Sequence, residues 1–110
     1  MARMAWRLKL RSGMKEEYKR RHDNIWPEML ELMRKSGIRN YSIWNEGQDL
    51  FGYFEVDDLE TAGQAGKGNP VIERWNEYMK DIFEPFEDTG TVDPKSMELM
   101  FLFEGEDKDD

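Results

Sequence analysis

His22 is the only histidine in a chain of 110 residues, and it lies in the run Tyr18-x-x-x-His22-x-x-x-Trp26-Pro27. Residues four apart stand one above another on a helix, so phenol, imidazole and indole share one face. An imidazole with an ordinary pKa of about 6.5 can take and return a proton near neutrality, as general acid–base catalysis requires. The phenol is a weaker hydroxyl acid and the indole a flat apolar surface. A lone helical histidine is more often a spectator than a catalyst, but two features favour chemistry here. Its face is aromatic instead of aliphatic, and Pro27 cannot donate to the carbonyl of Asp23, which leaves an acceptor open beside the imidazole.

Other chemistries are excluded by what the chain lacks. It has no cysteine, so disulfides, thiolate metal sites and cysteine nucleophiles are ruled out together. One histidine is too few for a histidine-rich zinc site, and no loop gathers the carboxylates that a hard cation needs. Phosphate-cradling glycine loops of the recognised spacings are absent. No metal and no cofactor are therefore expected. The formal charge is −8, of which the tail Glu104-Gly-Glu-Asp-Lys-Asp-Asp110 carries −4. Lys19, Arg20 and Arg21 are too few, and too close to Glu16, Glu17 and Asp23, to form a nucleic-acid patch. No apolar run reaches the length of a membrane span and no signal-peptide core opens the chain, so a soluble cytoplasmic protein is expected.

The elements that must hold His22 follow from periodicity. Met4, Trp6, Leu8 and Leu10 alternate with Arg3, Arg7 and Lys9, which predicts a half-buried strand over 3–10. Ser12 has the form of a helix N-cap, and the helix after it should run to about Lys35, stopped by Gly37 and interrupted between Asp23 and Trp26 by Pro27. Residues 38–46 and 50–57 form a hairpin through Glu46-Gly47-Gln48-Asp49. Asp57-Asp58 caps a short helix over 59–64, and Asn69-Pro70 starts a longer one that ends before Pro85. A last strand is expected over 97–103. The order β-α-β-β-α-β is the ferredoxin-like split arrangement of the α+β class. One domain covers 1–104, with an acidic disordered tail over 105–110.

Composition adds an expectation about assembly. Only 38% of residues are apolar, 36% are charged and 13% are aromatic, so a monomer of this size has little core to spare. Strands 50–56 and 97–103 are apolar on both faces, whereas helices cover only one face of such a sheet. A homodimer with sheets packed face to face is expected.

Folding this order of elements brings the first and last long helices side by side over the sheet. The space beneath them could be lined by Tyr18, His22, Tyr41 and Trp75. Tyr41 and Trp44 point to opposite sheet faces, so at most one of them shares that space. Trp26 reads as a packing residue before Pro27, and Asn40 and Asn45 as minor polar contacts. Rings stack on the C–H face of a sugar while hydroxyls and ring nitrogens bond its oxygens, so the set suits a neutral polyhydroxy ligand.

Three segments carry a family resemblance. Glu17-Tyr-Lys-Arg-Arg-His-Asp-Asn-Ile-Trp-Pro-Glu28 is similar to the first-helix signature of the L-rhamnose mutarotase family. Asn40-Tyr-Ser-Ile-Trp44 resembles its second strand, and Arg74-Trp75-Asn76-Glu77-Tyr78-Met79 its "RWW-x-YM" helix segment. The resemblance covers roughly residues 3–103. It implies a metal-free sugar anomerase of the dimeric α/β-barrel type that acts on a monosaccharide in sugar catabolism. It places the family's proton-transferring histidine on His22 and its substrate-contacting tyrosines on Tyr18 and Tyr41. The two consecutive indoles fall on Trp75 and Asn76, and Asn76 is a departure that bears on which sugar is bound. The competing expectation for such a fold is a cofactor-free oxygenase or cyclase, or a non-catalytic ligand-binding module.

Overall fold

Alternating side chains along the first ten residues produce β1, Ala2–Lys9. It is an inner strand of a four-stranded antiparallel sheet, and this computed structural model describes residues 2–105 of the chain. The elements that follow are α1 (Lys15–Asp23), α2 (Pro27–Lys35), β2 (Ile38–Glu46), β3 (Asp49–Val56), α3 (Leu59–Gly66), α4 (Pro70–Met79), a 3-10 turn (Lys80–Ile82) and β4 (Lys95–Met97). Strand order is β2-β3-β1-β4, the split β-α-β-β-α-β topology.

Proline chemistry divides the first helical stretch into two separate helices, where a kink or short break without a helix end was expected. Trp26, held extended at φ −63° and ψ 138° as the residue before a proline must be, separates α1 from α2. Gly37, at φ +78°, follows the end of α2 in the left-handed conformation that ends helices cheaply. Asn69 caps α4 by accepting from the Val71 N–H at 2.8 Å, with Pro70 at the first helical position. Asp58 does the same for α3, accepting from Glu60 N–H.

Three further expectations are corrected. Ser12 does not cap α1: the helix does open at Lys15, but with Met14 at the cap position and no side-chain bond there. Gly13, at φ +82°, first turns the chain, and the Met14 N–H closes that turn on the Arg11 carbonyl at 3.1 Å, which leaves Ser12 two residues before the cap position. The last strand lies earlier and is shorter than 97–103. Only Lys95–Met97 pairs with β1, at Ala5–Arg7; the chain leaves the edge after Met97, although Ala2–Met4 of β1 continue beyond that point. The short helix runs two residues past Gln64, to Gly66. The acidic tail expected over 105–110 lies, beyond Gly105, outside the described residues.

The core forms where the helices meet the even-numbered face of β1. Leu10, Leu50, Met79, Ile82, Tyr18 and Trp75 are buried together there, with Trp6, Leu8, Met29 and Ile43 packed against them. The opposite face of the sheet carries Arg7, Phe51 and Tyr53 with no helix over it. After β4, Leu99, Met100, Phe101 and Phe103 are 61%, 84%, 81% and 77% exposed.

Candidate active site

The same sheet face and the helices above it enclose a cavity of about 1030 Å³, open to solvent on one side. Tyr18 and His22 from α1, Tyr41 from β2, and Trp75 and Asn76 from α4 all border it, so the five residues picked out by the sequence share one space.

Helical spacing positions the imidazole. The rings of Tyr18 and His22 stack with centroids 4.3 Å apart and planes 26° from parallel. Trp75 meets His22 edge-on at 5.4 Å and 87°. Nδ1 of His22 lies 3.3 Å from the backbone carbonyl of Tyr18. A carbonyl can only accept, so Nδ1 carries the proton and Nε2 keeps its lone pair. Burial lowers the pKa of His22, partly offset by that carbonyl and by Asp23. The imidazole is therefore neutral at pH 7 and is held in the tautomer of a base.

Trp6, which its alternation placed on the apolar side of a half-buried strand, borders the sheet side of the cavity. Trp6 faces Gly52 across the β1–β3 register. Its indole lies so close over the sheet that a Cβ at position 52 would sit 2.0 Å from the ring. Only glycine fits there, which gives this mid-strand glycine its reason. The indole Nε1 donates to the Tyr41 hydroxyl at 3.1 Å. Tyr41 sits in a bulge where Asn40 and Tyr41 together oppose Phe54, with Asn40 at φ +53°. Desolvation raises the pKa of Tyr41 and the Trp6 bond offsets part of that rise. Tyr18, 7% exposed, has its pKa raised further by burial. The signal available in the sequence was a glycine inside a strand pattern; that it faces Trp6 follows only from the register.

Two smaller placements complete the wall. Asn45 borders the cavity while both of its amide hydrogens are spent on the Gly47 and Asp49 carbonyls, at 2.9 and 3.0 Å. Asn40 bonds Glu55 instead, away from the lining. Trp44 also borders the cavity, contrary to the expectation that only one of Tyr41 and Trp44 would. It does lie on the other face from Tyr41, but β2 is the sheet edge and nothing encloses the ring, which stays 69% exposed. Trp26 packs edge-on against Trp75 at 5.1 Å and beside Tyr78 at 5.6 Å, as a residue of the packing and not of the lining.

A charged clamp fixes α1 against the end of α4. The guanidinium of Arg21 donates to Glu17 at 2.6 Å, to Asp81 at 3.0 Å and to the Tyr78 carbonyl at 2.8 Å, and lies 4.7 Å over the Tyr78 ring. Bonds from Arg20 and Arg21 pull the Glu17 pKa down to about 2. Arg21 thus holds the helix that carries His22 against the one that carries Trp75, while Lys19 and Arg20 bond Asp23 and Glu17 within α1. No group of three or more residues suited to hold a metal ion occurs among the described residues.

Comparison with known proteins agrees with this architecture. A family model described as L-rhamnose mutarotase matches residues 3–103. The L-rhamnose mutarotase of Formosa agariphila is 32% identical over 104 residues, covering 93% of this chain and 99% of that protein. That of Mesorhizobium japonicum is 39% identical over 99 residues, covering 88% and 92%. The crystal structure of the Formosa agariphila enzyme superposes with a TM-score of 0.78 at 31% identity, covering 94% of this chain and all of that one. The tetracenomycin F2 cyclase of Streptomyces glaucescens superposes with a TM-score of 0.64 at 19% identity, which shows a shared α+β fold and nothing more. With a match from the first strand to the last, this chain belongs to the L-rhamnose mutarotase family.

Proposed function

We propose that the protein is an aldose mutarotase that interconverts the α and β anomers of L-rhamnose or a related 6-deoxyhexose by general acid–base ring opening and reclosure. The observation that carries this reading is the neutral His22, whose Nδ1 is committed to the Tyr18 carbonyl so that Nε2 remains a base within an aromatic cavity. Nε2 takes the proton of the anomeric hydroxyl while a neighbouring phenol, or a water bound in the cavity, protonates the ring oxygen. The C1–O5 bond breaks as the C1=O1 bond forms. Rotation about C1–C2 turns the other face of the aldehyde to O5, and on reclosure O5 returns its proton to the group that gave it while Nε2 returns its proton to O1.

Trp75 offers a ring face and edge to the C–H surface of the sugar, and Tyr18, Tyr41 and Asn76 supply hydrogen bonds to its hydroxyls. Anomers interconvert unaided at an appreciable rate, so acid–base catalysis of roughly 10²–10⁴-fold suffices without metal or covalent intermediate. The test is His22→Asn, with anomer exchange of L-rhamnose followed by saturation-transfer NMR. Exchange should drop to near the uncatalysed rate in a folded variant; an unchanged rate removes His22 from the mechanism.

The working unit in this reading is a domain over 1–104, with an acidic tail over 105–110, paired with a second copy in the cytoplasm. Support for the pairing comes from the helix-free sheet face and from the exposed apolar run Leu99–Phe103, which water disfavours. No helix among the described residues is long and apolar enough to cross a membrane. Sedimentation of a stable monomer at micromolar concentration would remove the dimer from this reading.

A further inference from the structure

We propose that Trp6 is a positioning residue for the reaction: its indole N–H fixes the Tyr41 hydroxyl so that the phenolic proton points to the sugar, and Gly52 is there to let the indole lie in that place. The inference deepens the mutarotase reading and rests on it.

A phenolic oxygen has one proton to give and lone pairs to receive with. Nε1 of Trp6 is a donor only, so the bond at 3.1 Å uses Tyr41 as an acceptor. The proton of Tyr41 is then left over, and no described residue accepts it within hydrogen-bonding distance. It is available to what occupies the cavity that Trp6 and Tyr41 both border. Tyr18 and His22 stand on the helix side of that cavity, and Trp6 and Tyr41 on the sheet side. A sugar between them meets a base on one side and a donor on the other, as ring opening requires. His22 takes the O1 proton, Tyr41 gives its proton to O5, and both transfers reverse on closing.

The indole is itself held in place. Its ring passes over position 52, where a Cβ would fall 2.0 Å from Cε2, 2.1 Å from Cζ2 and 2.5 Å from Nε1. Phe54, two residues along on the same face, packs against the Tyr41 ring at 5.0 Å. Trp6, Gly52, Phe54 and Tyr41 thus form one layer in which the N–H of the first sets the hydroxyl of the last. An N–H bond to that oxygen also favours the phenolate that forms as the proton leaves, which makes Tyr41 the better acid of the two cavity phenols.

The test replaces Trp6 site-specifically by 3-benzothienylalanine, which keeps the size of the bicycle and removes the N–H. L-rhamnose anomer exchange is measured in the parent and in a Tyr41→Phe background. In the parent, kcat should fall roughly 3- to 10-fold, the range of one neutral hydrogen bond, with KM changing less. In the Tyr41→Phe background the same replacement should change kcat less than about two-fold, since the oxygen it acts through is gone. Gly52→Ala should reproduce the kcat loss by displacing the ring. A full kcat in the benzothienyl protein, or an equal loss in both backgrounds, overturns the proposal, because a structural role does not depend on the Tyr41 oxygen. If the parent itself fails to accelerate exchange, the mutarotase reading fails and this proposal with it. A parent that exchanges anomers and is indifferent to the N–H fails this proposal alone.

Discussion

Tyr18→Phe separates two roles that a phenol beside His22 can play. The ring of Tyr18 stacks on the imidazole at 4.3 Å, and its backbone carbonyl, not its hydroxyl, holds Nδ1 of His22. Phenylalanine keeps both. The hydroxyl makes no bond to any described residue, yet it is not an orphaned buried atom: among the described residues only Nε of Arg7 is buried without a partner. The Tyr18 oxygen therefore meets cavity space, and removing it breaks no bond within the protein. Stability should change by less than about 1 kcal/mol. Burial raises the Tyr18 pKa, so the phenol stays protonated and donates a hydrogen bond in ground and transition states alike. A neutral bond of this kind is worth about 0.5–1.5 kcal/mol, or roughly 2- to 13-fold in KM, with kcat little altered. The assay is saturation-transfer exchange over a range of L-rhamnose concentrations, beside a urea unfolding curve. A kcat loss of roughly 10² or more at unchanged KM would make Tyr18 the proton carrier and refute the division of roles argued above.

The acid limb of the pH profile belongs to His22. Its folded pKa is lowered by burial, so kcat/KM should hold through pH 6.5, where a free imidazole is half protonated, and fall about tenfold per unit only below the lowered value; the single histidine gives one imidazole NMR signal to titrate beside the rate. The sign for stability follows by linkage. Below about pH 6.5 the unfolded chain binds a proton that the folded one refuses, so His22 contributes stability above that pH and loses it as pH falls through the folded pKa; His22→Asn should remove this slope from urea unfolding. Ile82, fully buried in the 3-10 turn, should cost about 2–5 kcal/mol when changed to alanine, read by urea unfolding, and a smaller cost would show that the turn can collapse on the gap. Asn76→Trp should shift the ratio of kcat/KM for L-rhamnose over L-mannose toward the deoxy sugar by roughly 3- to 10-fold, because a ring replaces an amide that can bond a hydroxyl; an unchanged ratio removes Asn76 from specificity.

Local signals wrote most of this architecture into the sequence. Period two in β1, the Pro27 break and the Asn69-Pro70 start appear in the structure where residue chemistry puts them. Long-range pairing was not written locally. The run 97–103 alternates like a strand, but alternation does not fix where pairing stops: only Lys95–Met97 pairs with β1, and the chain leaves that edge before Ala2–Met4. The bulge at Asn40 and Tyr41 was invisible for the same reason: it is a mismatch in counting between two strands, one residue of β3 against two of β2. At the site, helical spacing revealed His22 and Tyr18, while Trp6 joins them only through a register that sets it over Gly52. Arg21 stood out only as part of a basic cluster too small for nucleic acid, because its partners Tyr78 and Asp81 lie about sixty positions away.

The break at Pro27 has a consequence for His22 that composition could not reveal. In the middle of a long helix, an imidazole is flanked by turns on both sides and its ring competes with the next turn for space. Here α1 ends at Asp23, one residue beyond the histidine, and the chain leaves through Asn24 and Ile25, whose N–H groups close back on Arg20 and His22 at 3.2 Å each. The histidine thus stands on the last turn of a short helix. A positive imidazolium would be favoured there by the helix dipole, while burial under Tyr18 and Trp75 opposes the charge. Because desolvation is the larger of the influences on His22, the group rests neutral yet stands where a proton, once taken, is stabilised by the helix end. A base for anomerisation must receive a proton and release it within one turnover, and these opposed influences suit that task better than either alone.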